Sequence, residues 1–150
     1  LTRRNERTLP LKPSKILANF PLFLIPLIAY NIIVFTAGSA GARSVLESPL
    51  FEFRLVSGAV FSLDVSTLLI IISLHLIYFE ILKSVRSSVS TIINHTLSLI
   101  IFIVFLVEFI TVPQAGTTDF LVLMAMSLLV VIAGFTVSIS SARRDFMVER

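Results

Sequence analysis

The chain has 150 residues, 56% of them hydrophobic and 14% charged, with a formal net charge of +3 and neither cysteine nor tryptophan. A mean hydropathy of +0.99 excludes an ordinary water-soluble domain, in which apolar stripes alternate with polar faces. Without cysteine there is no disulfide, thiol nucleophile or thiolate-bound metal, and the basic residues form no aromatic-interleaved stripe of the kind that grips nucleic acid.

Taken in order, residues 1–15 are polar, basic and proline-containing, and read as a flexible cytoplasmic tail. Thr2-Arg3-Arg4 and Ala40-Gly41-Ala42 have the look of an export signal and its cleavage site. The apolar run from Ile16 to Gly38 nevertheless exceeds the roughly 7–15 residues of a signal core, so residues 16–37 are expected to be a retained first membrane span. Pro21 suits the opening turn, whereas Pro26 is expected to kink the helix and free a carbonyl not far from Asn31. Gly38-Ser39-Ala40-Gly41 reads as a loop. The segment 45–61 is too apolar to hang in water, yet Glu47, Glu52 and Arg54 interrupt it. It is expected to lie in the membrane surface as an amphipathic interfacial piece. Leu50 to Leu55 alternates weakly, as a short extended stretch would, and Gly58 breaks the run.

The second span, 62–83, carries Ser66, Ser73 and Glu80 seven residues apart, with Ser62 one turn earlier. That spacing places them on one seam of a helix pair, where hydroxyls allow close approach and hydrogen bonds across it. The turn 84–90, with Lys83 and Arg86 at its edge, is short enough to make the third span, 91–113, the antiparallel neighbour of the second. Thr91, His95 and Ser98 then line one face, Asn94 sits beside them, and His95 shares the depth of Glu80. A polar intramembrane cluster of Glu80, Asn94, His95, Ser98 and Ser73 follows, either mutually satisfied or handling protons. After Pro113 and a short turn, the fourth span, 119–140, has a small-residue seam at Ser127, Gly134 and Ser141, with Ser138 one turn beyond Gly134.

Asp64 and Glu108 fall near the outer ends of adjacent spans, where two carboxylates can hold a cation or share a proton, or each can reach water. His75 is the residue that a tetrapyrrole would use. It lies about 7 Å deeper than His95, however, and about 140° around the helix from position 80, which argues against two histidines clamping one ring. No cofactor and no metal are expected: metal-ligand spacing, phosphate-binding loops and nucleophile–base pairs are absent from the sequence.

If both termini and the 84–90 turn share one side, that side holds Arg3, Arg4, Arg7, Lys12, Lys15, Lys83, Arg86, Arg143, Arg144 and Arg150, against Arg43 and Arg54 opposite. Ten against two predicts four spans with both ends cytoplasmic.

Four stretches together look like one group of proteins: Phe79-Glu80-Ile81-Leu82-Lys83; Asn94-His95-Thr96-Leu97-Ser98; Val107-Glu108-Phe109 with Val112-Pro113-Gln114-Ala115-Gly116-Thr117; and Ala133 to Ser138 before Ala142-Arg143-Arg144-Asp145. Over roughly residues 75–145 the chain resembles small uncharacterised four-span membrane proteins of proteobacteria. The resemblance implies a bacterial inner membrane and no particular activity. That group has an acidic residue before the histidine, where this chain has Asn94, which weakens a proton relay through His95.

The sequence thus predicts an all-α membrane protein, a four-transmembrane-helix antiparallel bundle with an interfacial segment between helices 1 and 2. The expected role is a non-enzymatic accessory, assembly or scaffold subunit. It would contact lipid and either a protein partner or further copies of itself. The competing expectation is a small proton- or cation-coupled transporter using Glu80 and His95 with Asp64 or Glu108.

Overall fold

A computed structural model describes residues 20–84 and 89–148. The basic tail, the start of the first expected span, Arg86, Arg150, and the side chains of Thr91, Ser141, Arg143 and Arg144 lie outside the described residues. The elements are α1 (Leu24–Leu46), β1 (Pro49–Arg54), β2 (Val60–Asp64), α2 (Val65–Ser84), α3 (Val89–Thr111), a 3₁₀ turn (Pro113–Ala115) and α4 (Thr118–Val148). Among the described residues three helical stretches are long and apolar enough to cross a membrane, Val65–Lys83, Ile93–Thr111 and Thr118–Ser140, and Leu24–Gly38 is a shorter apolar helix.

The start of α1 corrects the expected role of its prolines. Pro21 lies before the helix, and its carbonyl and that of Leu22 accept from the Leu24 and Ile25 N–H groups. Pro26 then falls in the first turn of α1, where a missing N–H breaks no helical bond. The carbonyl that Pro26 cannot serve, that of Leu22, is taken by Ile25, so no free acceptor and no kink arise there. The break comes instead at Gly38, with φ 68° and ψ 172°, a conformation open to glycine and few other residues. Helix resumes beyond it as far as Leu46, so the stretch expected to be a loop is a bend within α1.

The segment between α1 and α2 is an antiparallel hairpin, which realises the weak alternation at Leu50–Leu55 and adds a two-stranded sheet to the expected all-α fold. Phe51 pairs with Leu63, Glu52 with Ser62, Phe53 with Phe61 and Arg54 with Val60. Gly58, at φ 87°, turns the chain, and the Leu55 N–H donates to the Ala59 carbonyl at 2.8 Å to close the loop. Strand β2 thereby takes residues 60–64, and α2 starts at Val65. Asp64 makes that boundary: its carboxylate accepts from the Thr67 backbone N–H at 2.7 Å and from the Ser66 hydroxyl at 3.2 Å, the bonding of an N-cap.

Packing also departs from the expected neighbour order. Helix α4 packs along both α2 and α3, whereas α2 and α3 share only a narrow contact. A short connection fixes two helices at one end only, and side-chain fit decides which faces meet along their length. Ser66 and Ser73 on α2 and Ser127 on α4 are buried; such small residues let backbones approach. Helix α1 joins through aromatic rings: Phe23 lies 5.9 Å from Phe105, Phe105 lies 5.2 Å from Phe120, and Phe120 lies 4.7 Å from Tyr30.

The Thr67 hydroxyl and backbone N–H hold the Asp64 carboxyl below the usual carboxylate range. A carboxyl depressed in the folded state contributes stability above its unfolded pKa, which fades as pH falls from about 4 toward the lower folded value. Asp64→Ala is expected to lower stability by about 1 kcal/mol at neutral pH, and Asp64→Ser by far less; unfolding of the detergent-solubilised protein measures both.

Candidate functional site

The densest polar arrangement surrounds Glu80, whose side chain is 1% exposed. It stands near the end of α2, and three elements send donors to it. The Leu22 backbone N–H, left free because it precedes the first turn of α1, donates to Oε2 at 2.8 Å. The Asn94 side-chain amide, from α3, donates to Oε1 at 2.7 Å. One turn further along α2, the Lys83 ammonium lies 3.4 Å from Oε2 and donates to the Phe20 carbonyl at 2.7 Å. The chain leading into α1 is therefore clasped by its N–H to the buried Glu80 and by its carbonyl to the partly exposed Lys83. Ser98 donates to the Asn94 carbonyl at 3.0 Å, tying that residue's backbone one turn along α3.

His95 belongs to the same neighbourhood but does not hold Glu80 as the equal-depth argument expected. Its Nε2 is buried with no hydrogen-bond partner, as is Oδ1 of Asn94. The imidazole lies against Gly134 of α4: a Cβ built on that glycine would meet Nδ1, with Cε1 at 2.6 Å and Cγ at 3.0 Å. Gly134 is thus more than a small residue on a packing seam. Its missing side chain is the notch that admits the imidazole. Successive residues of a helix lie about 100° apart around its axis, so adjacent positions 94 and 95 face different neighbours. Asn94 points to Glu80, and His95 meets α4.

The two outer carboxylates are not used as a pair. Asp64 caps α2 and lines an open polar cavity of about 440 Å³ with Arg43, Glu47, Thr67, Thr117 and Asp119. Glu108 accepts both of its hydrogen bonds from the Asn31 amide, at 2.9 and 3.1 Å. Beside Asn31, the Tyr30 hydroxyl meets the Thr117 hydroxyl at 2.6 Å and donates to the Gln114 carbonyl at 3.3 Å. The Asn31–Glu108 bridge was open to sequence reasoning, since lone polar residues in two apolar helices seek each other. The Leu22 and Phe20 backbone contacts carry no side-chain signal at all.

The seam serines bond within their own helices rather than across them. Ser73 donates to the Leu69 carbonyl, Ser127 to the Met124 carbonyl, and Ser66 to Asp64. A hydroxyl satisfied by its own helix needs no partner opposite, so these positions serve close approach. Ser138 is half-buried on α4. His75 is exposed, with its Nδ1 2.8 Å from the Ile71 carbonyl of its own helix. Among the described residues no group of three or more histidine, aspartate or glutamate side chains gathers as a metal site.

Three helices of membrane-crossing length and a shorter apolar one, with polar side chains turned toward one another, define a helical membrane protein. Comparison with protein-family models, curated protein sequences and solved structures gives no match.

A methyl group at position 134 has to displace the imidazole. Gly134→Ala is expected to lower stability by about 1–3 kcal/mol, and to cost far less when His95→Ala is already present. Unfolding of both single variants and the double variant measures that coupling; additive losses would show that the ring does not occupy the notch.

Proposed function

We propose that this protein is a non-enzymatic integral membrane accessory, assembly or scaffold subunit of a larger complex. We place it in an inner membrane, crossing four times with both termini cytoplasmic. The observation that carries this reading is the way two acids, the buried Glu80 and the half-buried Glu108, are engaged. Glu80 and Glu108 each hold α1 to the other helices, through Leu22 and Asn31 respectively. A carboxylate held by backbone N–H or carboxamide donors acts as a clamp. The topology is supported by the distribution of arginine and lysine, ten on the proposed inner side against Arg43 and Arg54 outside. The exposed faces of the spanning helices are rich in isoleucine, leucine and phenylalanine, and give lipid or a neighbouring subunit a broad surface to meet. Native mass spectrometry of the protein extracted in mild detergent is expected to show a stoichiometric partner subunit. A clean monomer would overturn the assignment.

A second reading has one specific observation in its favour. Asn94 Oδ1 and His95 Nε2 are buried and unpartnered beside Glu80, and buried polar atoms are ordinarily satisfied. A small proton- or cation-coupled transporter would use such atoms on the path of its ion. In liposomes, that reading requires Glu80→Gln to abolish proton or cation flux, and flux equal to the unaltered protein removes its support.

A further inference from the structure

The hairpin between α1 and α2 has a distinct apolar side. Residues directly opposite on paired strands project to the same face, so Phe51 with Leu63 and Phe53 with Phe61 form one face, and Glu52 with Ser62 and Arg54 with Val60 form the other. The rings of Phe53 and Phe61 lie 5.1 Å apart, which confirms that they share a side. At the tip stand Leu55 and Val56. Phe51 is 66% exposed, Phe53 54%, Phe61 41%, and Val56 is fully exposed. A two-stranded hairpin alone in water is marginal, and needs its apolar face covered to persist. Among the described residues, nothing in this chain covers these rings.

The position of the hairpin says what does. Strand β2 ends at Asp64 and α2 starts at Val65 with no residue between them, and the Val65 N–H donates to the Ser48 carbonyl at the foot of the hairpin at 3.2 Å. The hairpin is therefore fixed, without a linker, to the end of a helix that is apolar from Val65 onward. A membrane-spanning α2 sets the base of the hairpin at the level where that helix leaves the hydrocarbon. The reverse face holds Glu52 and Arg54, one of each sign, with Ser62 and the exposed Val60, so it is the more polar of the two and has no net charge. Such a face suits the neutral, hydrated side of a segment lying flat at an interface.

We propose that the hairpin is a membrane-interfacial wedge: the Phe51–Phe53–Phe61–Leu63 face and the Leu55–Val56 tip insert into the leaflet at which α2 starts, and the Glu52–Arg54–Ser62 face stays in water. The occupant of the apolar face is the acyl–headgroup boundary of the bilayer, with the rings about 5–10 Å below the surface. Aromatic side chains are at home at that depth. The inference needs the helices to span a membrane but does not depend on the scaffold role.

The chain contains no tryptophan, so one substitution introduces a unique fluorophore. Phe53→Trp, Ser62→Trp and Leu74→Trp, the last on an exposed position of α2, are each reconstituted in phosphatidylcholine vesicles containing lipid brominated near the top of the acyl chain. The wedge requires Phe53→Trp to emit at shorter wavelength than Ser62→Trp and to be severalfold more strongly quenched by the brominated lipid. Ser62→Trp should in turn be severalfold more accessible to aqueous iodide. Equal iodide quenching of the two hairpin positions overturns the proposal. Shielding of Phe53→Trp from both quenchers also overturns it, because a second copy or a protein subunit then covers the face. Leu74→Trp separates the two levels of the argument. If it is quenched by brominated lipid while Phe53→Trp is not, the wedge alone fails; if it too escapes the lipid quencher, the membrane-spanning reading fails with it.

Discussion

Hydrogen bonds to one buried and one half-buried carboxylate fix the position of α1, and the rest of the architecture depends on them. In hydrocarbon a polar group without a partner costs several kcal/mol. A glutamate 99% buried among apolar helices therefore dictates where its donors must be. Glu80 reaches the Leu22 N–H just before α1, and Glu108 reaches the Asn31 amide nine residues later. Those two points on α1 are about 13 Å apart along a helix. Tyr30 adds a third tie to the connection between α3 and α4. Three anchors at two depths define both the tilt and the rotation of a helix.

This division of labour follows from how the helices meet. Helices α2 and α3 each pack along α4, whose buried positions include the small Ser127 and Gly134 among larger apolar residues. Helix α1 has a slighter backbone contact with any of them than α4 has with α2 or α3. Between apolar helices in lipid there is no hydrophobic driving force, so a helix without close packing needs polar ties or interlocking side chains. The aromatic series Phe23–Phe105–Phe120–Tyr30 supplies the interlock. The hydrogen bonds to Glu80 and Glu108 supply the register.

Much of this was readable from residue order, and what was not has definite causes. Long apolar runs give span positions directly, because length and composition alone set them. Glu80 and Asn94 were legible as members of one cluster, since polar groups in an apolar helix must find each other. Equal depth brought His95 into the same neighbourhood as Glu80, but helix rotation decides the hydrogen bond, which goes to Asn94: one residue changes the facing direction by about 100°. The kink went to Pro26 instead of Gly38 because the helix starts later than its apolar run, which moves the proline into the first turn. The neighbour order failed for a different reason. Connection length constrains helix ends, whereas the notch at Gly134 that receives a ring from α3 is a property of side-chain shape.

Gly134 and Asp64 also show how the two ends of the molecule are joined. Asp64 is at once the last residue of β2 and the cap of α2, and Glu80 lies sixteen residues further along that same helix, about 24 Å away at its regular rise. Between them α2 has no proline and no glycine, so it acts as a straight spacer. The hairpin and the Glu80 clasp are thus held at a fixed separation by one rigid element, and α4 contacts that element and closes over His95 through its glycine. A displacement of the hairpin along the membrane normal has to move α2 as a body, and with it the carboxylate that holds the start of α1. Local adjustment inside α2 is the more costly alternative, because every backbone hydrogen bond broken in hydrocarbon is left without water to replace it.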